Sequence, residues 1–149
     1  MSLTLVMSGD IFASRMRTLV NPVNCVGVMG AGLALEFKNR YPDMYLEYVR
    51  ACSMGRLRLG EVRLFSYPEK NILSFPTKHH YSDKSTIEDI VRGVYDMQDR
   101  VACWDLQSLA VPALGCGYGG LKWSQVEPVL TTIFEAFPCP VELYAPIFR

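Results

Sequence analysis

Residues 20–38 read VNPVNCVGVMGAGLALEFK, and the order of residue types in this stretch decides the fold. Thr18 to Asn21 has strand character and stops against Pro22. From Gly30 onward, Leu33, Ala34, Phe37 and Tyr41 recur at spacings of one, three and four, which gathers them on one helical face. Between strand and helix lies Gly27-Val28-Met29-Gly30-Ala31-Gly32. Glycine permits positive φ and lets a ligand approach the amides with no Cβ in the way. The helix N-terminus beyond adds aligned N–H groups that favour an anion. The stretch therefore has the physics of a phosphate cradle, or at its plainest that of a strand-to-helix turn.

The same succession returns near the other end of the chain. Gly115-Cys116-Gly117-Tyr118-Gly119-Gly120 follows the apolar run Ser108 to Val111. It precedes a helix predicted over Trp123 to Phe137, with Val126, Val129, Leu130, Ile133 and Phe134 inward. Two such loops suit a diphosphate. Neither ends in Gly-Lys-Ser/Thr, and neither is followed by an acidic residue at the ribose-reading distance of a dinucleotide fold, which argues against a kinase or a classical dehydrogenase.

Outward from these loops, Leu3 to Met7, Glu61 to Tyr67, Asn71 to Phe75 and Val141 to Tyr144 read as further strands. After Pro42, the residues Met44, Tyr45, Tyr48, Val49 and Cys52 carry a second helix, or a kinked continuation of the first, as far as Gly55. Ser85 followed three residues later by Glu88 forms a capping box ahead of Ile87, Ile90, Val91, Val94 and Met97 at helical spacing. Strands and helices alternate almost throughout. The expectation is an α/β fold, a mixed and mostly parallel sheet sandwiched between helices on both faces in three α/β/α layers. One domain over residues 1–149 is expected.

Half of the 149 residues are apolar, enough for a core without staples. Fifteen basic side chains balance fifteen acidic ones, so no long-range field holds the chain on nucleic acid or an anionic membrane, and any nucleic-acid substrate must be gripped locally. The most apolar stretch, Val26 to Leu35, is too short and too rich in glycine to span a bilayer. Met1-Ser2-Leu3-Thr4 lacks the basic start of a secretion signal, so the cytoplasm is the expected compartment. Cys25, Cys52, Cys103, Cys116 and Cys139 are an odd set without close pairs, and His79 and His80 are the sole histidines. No metal and no cofactor are expected.

Several stretches together resemble the macrodomain family of ADP-ribose binders: Leu5 to Ile11 (LVMSGDI), Val20 to Asn24 (VNPVN), the Gly27 to Gly32 loop, and Pro112 to Gly117 (PALGCG). Gly30 to Lys38 (GAGLALEFK), followed by Arg40-Tyr41-Pro42, is similar to the branch that contains terminal ADP-ribose glycohydrolase and the DarG antitoxins. Phe75-Pro76-Thr77-Lys78, with His80 and Ser85, points within that branch to DarG. The resemblance implies an ADP-ribosyl glycohydrolase that removes ADP-ribose from a base of single-stranded DNA, with a DarT-type toxin as partner and the chain itself a monomer. Hydrolysis of ADP-ribosylated protein side chains or of ADP-ribose 1''-phosphate, and a non-catalytic reader, stand as the other readings.

The resemblance also distributes roles. Asp10 and the amide of Ile11 read adenine; the plain alternative for Asp10 is a turn after Gly9. Asn21 and Asn24 bond either the distal ribose or loop backbone, Asn24 being the better ribose contact. The two glycine loops, through Gly30, Ala31, Gly32 and Leu33 and through Gly115, Cys116, Gly117, Tyr118 and Gly119, hold the diphosphate, and the Tyr118 ring covers the distal ribose. Lys78 matches the catalytic lysine of the branch, acting as an amine on the anomeric carbon or as a cation beside the departing base. His80 is an assisting proton carrier. The lysine-dependent enzyme acting on protein carboxylates carries an Asp in its second glycine loop, where this chain has Tyr118-Gly119-Gly120. Tyr81, in a polar loop beside Lys78, is the aromatic residue placed to stack on a substrate base.

Overall fold

In the computed structural model, which describes residues 2–146, the inner apolar runs become strands buried on both faces, while the two edge strands stay partly exposed. Strands β1 (Leu3–Val6), β2 (Thr18–Val23), β3 (Arg63–Ser66), β4 (Asn71–Pro76), β5 (Leu109–Val111) and β6 (Val141–Tyr144) form one sheet in the order β1-β6-β5-β2-β4-β3. All are parallel except β3, which pairs antiparallel with β4 at the edge. The predicted mixed, mostly parallel sheet is therefore present. So are its two helical layers.

Along β2 and β4 alternate residues point to opposite faces, and each face has its own core. Leu19, Val23 and Ile72 pack with Phe37 of α1 (Gly32–Arg40) and with Met44 and Tyr48 of α2 (Pro42–Ser53). Val20, Leu73 and Phe75 pack with Ile90, Val94 and Met97 of α3 (Ile87–Cys103) and with Val126, Leu130 and Phe134 of α4 (Trp123–Phe134). Full burial of each large apolar side chain contributes roughly 1.5–3 kcal/mol, which makes these two layers the main source of stability.

Local details settle or correct the sequence reading in several places, beginning with β2, which runs through Pro22 to Val23 instead of stopping at Asn21. Tyr41 leaves helical geometry and Pro42 stands at the first turn of α2, where its missing N–H costs nothing, so α2 is a separate helix. Thr86, rather than Ser85, caps α3, its Oγ1 accepting from the Asp89 amide at 3.2 Å. Ser85 is instead buried under the second glycine loop. The fourth helix stops at Phe134 rather than Phe137, because Ala136 and Phe137 bond the carbonyls three residues back and tighten the chain. A short 3₁₀ turn, Ile11–Ala13, was not foreseen; Asp10 starts it by accepting from the Phe12 amide at 2.9 Å.

Candidate active site

Strands β2 and β5 are neighbours, yet the chain leaves them in opposite directions. After β2 it passes through the first glycine loop to α1 on one face; after β5 it passes through the second to α4 on the other. Such a divergence opens a crevice at the carboxyl ends of the strands, the place where open α/β sheets bind ligands. A cleft of about 1330 Å³ lies there. Pockets for drug-sized ligands hold roughly 300–1,000 Å³, so this one has room for a larger, extended molecule.

The first glycine loop is held open by polar struts. Asn24 is buried, its Oδ1 accepting from the Val26 amide at 3.0 Å and from the Tyr48 hydroxyl at 2.7 Å, while its Nδ2 donates to the Val28 carbonyl at 2.7 Å. Of the two roles foreseen for Asn24, the structure displays the loop-backbone one. Tyr48 went unrecognised in the sequence, where its spacing marks a packing residue; the signal available was that a buried tyrosine hydroxyl must find an acceptor. Gly27 at φ +87° and Gly32 at φ +57° take the left-handed backbone the loop needs.

Beyond these struts the loop presents bare amides. Among the described residues, the N–H groups of Gly30, Ala31, Gly32 and Leu33 donate no hydrogen bond, and Ala31 offers α1 no side-chain cap. An uncapped helix start with no acidic side chain in its first turn keeps its positive end for a ligand.

The second loop is pinned from below. Ser85 N donates to Gly119 O at 3.0 Å, Leu121 N to Gly115 O at 2.9 Å, and Gly120 N to Gly117 O at 3.1 Å. The amides of Gly117, Tyr118 and Gly119 are left without a partner among the described residues. Gly119 must remain glycine, since a Cβ there would collide with Ser85 Oγ and with the Gly115 carbonyl. The Tyr118 ring reaches across the cleft to Gly32, where an added Cβ would lie 3.2 Å from its edge. The two cradles thus face each other over one gap.

Lys78 stands on a stiff stretch just past β4. Thr77 N donates to Val23 O at 2.9 Å and Cys25 N to His79 O at 2.7 Å, so the backbone on each side of Lys78 is tied to the chain after β2. Its side chain lines the cleft and makes no salt bridge among the described residues. Partial burial holds its ammonium pKa below the ordinary lysine value, and the Lys84 cation pushes it further down against the opposing pull of Asp83.

Asp10, Ile11, Asn24, Gly30, Ala31, Gly32, Leu33, Gly115, Gly117, Tyr118, Gly119 and Lys78 all line this one cleft, joined by Arg40, Glu36 and Tyr144, to which the sequence reading gave no site role. Three of the foreseen residues do not. Asn21 is fully buried, its Nδ2 3.8 Å from Met29 Sδ and its Oδ1 without a partner, because β2 turns it under the loop. Cys116 uses its amide on Ala113 O at 3.1 Å, and burial pushes its thiol up to about 11. His80 is not among the lining residues and is engaged in its own turn, with Nδ1 2.7 Å from Ser82 Oγ. Among the described residues no group of three or more His, Cys, Asp or Glu is gathered to hold a metal ion, and no helix is long and apolar enough to cross a membrane.

Comparison with known proteins agrees with this geometry. The Macro domain family model matches residues 20–130. A DNA ADP-ribosyl glycohydrolase of Mycobacterium tuberculosis is 41% identical over 135 residues, covering 88% of this chain and 38% of that protein. The chain therefore spans about two fifths of that relative's length. The solved macrodomain of Mycobacterium tuberculosis DarG superposes with a TM-score of 0.92 at 39% identity, covering 97% of this chain and 98% of that one. Thermosipho africanus DarTG in complex with ADP-ribose superposes with a TM-score of 0.94 at 38% identity, covering 99% of this chain and 42% of that one. From the matched residues 20–130, which contain both glycine loops and Lys78, and from a fold shared end to end with a solved macrodomain, the chain belongs to the Macro domain family.

Proposed function

We propose that this chain binds ADP-ribose in the cleft and hydrolyses it from a modified base of single-stranded DNA, with Lys78 as the catalytic residue. The observation that carries the proposal is the pair of unpartnered amide cradles, on loops from opposite faces of the sheet, with Lys78 on the same cleft wall. A diphosphate between the loops is neutralised by N–H groups, so the reading needs no resident metal or cofactor. Asp10 and Ile11 line the same cleft and read adenine, Asp10 keeping one carboxylate oxygen free of its own turn. In this reading the distal ribose sits beside Tyr118 and Lys78, which line the cleft as well.

A neutral Lys78 amine attacks the anomeric carbon. The bond from that carbon to the base breaks, a bond to Nζ forms, and the proton lost by the amine leaves with the base. Water then replaces Nζ at the same carbon, releasing ADP-ribose and restoring the amine. The lowered ammonium pKa supports this role over that of a permanent cation.

DNA as the acceptor, rather than a protein side chain, is supported by relatives named DNA ADP-ribosyl glycohydrolase. The second glycine loop also holds no carboxylate. A relative from Thermosipho africanus is named a DNA ADP-ribosyl transferase-DNA ADP-ribosyl glycohydrolase fusion protein, which supports a DarT-type transferase as the functional partner. In this reading the chain works in the cytoplasm as a monomer. The test offers ADP-ribosylated single-stranded DNA beside ADP-ribosylated protein and measures released ADP-ribose. Release from DNA is expected, and release from protein alone contradicts the proposal.

A further inference from the structure

The turn after Lys78 is built to hold one aromatic ring at the cleft mouth. Its backbone is locked by Asp83 N donating to His80 O at 3.0 Å and by His80 N donating to Asp83 Oδ2 at 2.9 Å. The His80 ring is fixed in turn, since Ser82 N donates to its Nδ1 at 3.1 Å and Ser82 Oγ lies 2.7 Å from the same atom. Against this fixed ring lies Tyr81, with centroids 4.0 Å apart and planes inclined by 35°. The other face of Tyr81 is free: the residue is 54% exposed, yet it lines the cleft beside Lys78.

Exposing a large flat ring costs hydration without gaining packing, and stacking it on a histidine immobilises it before any ligand arrives. Preorganised exposed aromatics of this kind receive nucleobases, each of which offers a π-face. Lys84 completes the mouth: its side chain runs over Gly120 of the second loop, where an added Cβ would lie 3.2 Å from its Cδ. It forms no salt bridge among the described residues. A protein with no net charge must grip a polyanion locally, and Lys84, three residues past Tyr81 and over the second loop, offers a cation for that grip.

We infer that Tyr81, braced by His80, is a stacking platform for a nucleobase of the acceptor strand, and that Lys84 contacts a phosphate of that strand. The inference rests on the proposed glycohydrolase reading and assigns the residues that select single-stranded nucleic acid. It gives His80 a positioning role through Tyr81.

The test uses the full chain carrying Lys78→Ala, so that the modified oligonucleotide stays intact, and compares its affinity with that for free ADP-ribose. The ratio of the two affinities measures the grip on the strand. Adding Tyr81→Ala is expected to shrink that ratio about tenfold, while Tyr81→Phe retains it, because stacking needs the ring and not the hydroxyl. Adding Lys84→Ala is expected to flatten the slope of log affinity against log salt by about 0.7, one phosphate contact on a single strand. A ratio unchanged by Tyr81→Ala, or lowered equally by Tyr81→Phe, overturns the platform; an unchanged slope overturns the Lys84 contact. Release of ADP-ribose from the same oligonucleotide by the unsubstituted chain is measured separately, so failure of the glycohydrolase reading shows as no release, whatever the affinity ratio.

Discussion

In the proposed reaction Lys78 carries the chemistry, and three local conditions act on its amine. Its backbone is tied on both sides to the chain after β2, its stem is partly buried, and Lys84 stands close enough to disfavour its protonation. An amine that reacts when neutral gains activity as pH rises through its own pKa, and a depressed pKa brings that rise to lower pH than for an ordinary lysine. Replacing Lys84 by Gln removes the cation and lets the Lys78 pKa climb. The kcat/KM profile is therefore expected to move to higher pH, with a lower value at neutral pH; a profile that stays in place separates Lys84 from the amine. The sequence made Lys78 conspicuous through the stretch after Pro76, but the direction of its shift was not legible, since Lys84 and Asp83 pull in opposite senses and only their placement decides.

Asn24 and Tyr48 make the corresponding point for binding. An asparagine before a glycine loop reads equally well as a ligand contact or as a backbone strut, and the hydroxyl that settles the matter comes from a helix 24 residues away. Tyr48→Phe removes the donor while keeping the packed ring. Because Asn24 Oδ1 keeps the Val26 amide, the loss is that of a net hydrogen bond, about 0.5–1.5 kcal/mol. Denaturation is expected to report a loss of that order, together with weaker ADP-ribose binding as the loop loosens; unchanged affinity would show that the strut does not shape the cradle.

At the scale of elements, the glycine loops and the apolar strands were legible because their signals are local: runs of β-branched residues, turn formers, and a change to helical spacing. The cap of α3 was not, because Ser85 and Thr86 are both good caps and both have an acidic residue three positions on. The choice was made by the second glycine loop, which draws Ser85 inward through the Gly119 carbonyl and leaves its Oγ buried without a partner. Thr86→Ala is expected to lower stability by about 1 kcal/mol, the worth of an N-cap. Ser85→Ala removes an unsatisfied hydroxyl and is expected to leave stability equal or higher. Reversed effects in chemical denaturation would return the cap to Ser85. Cys116 illustrates the same limit, since its place inside PALGCG reads as part of a cradle, while its amide in fact closes a turn on Ala113.

For the whole molecule, the decisive feature is the divergence of the chain at β2 and β5, which no single segment of sequence contains. Alternation of strands and helices foretold the layers, yet strand order β1-β6-β5-β2-β4-β3 is what brings the two glycine loops, far apart in sequence, to one crevice. In the proposed function, the two rows of free amides grip the constant part of the substrate and the lysine on the cleft wall reaches the bond at its variable end. Binding and bond cleavage are then carried by different residues, and they can be separated. The most direct measurement compares ADP-ribose released from modified single-stranded DNA by the unsubstituted chain and by Lys78→Ala, both checked by calorimetry for binding of free ADP-ribose. The account predicts binding in both proteins, with release slowed on the order of a hundredfold or more in the variant. Undiminished release by Lys78→Ala, or no ADP-ribose binding by either protein, would contradict it.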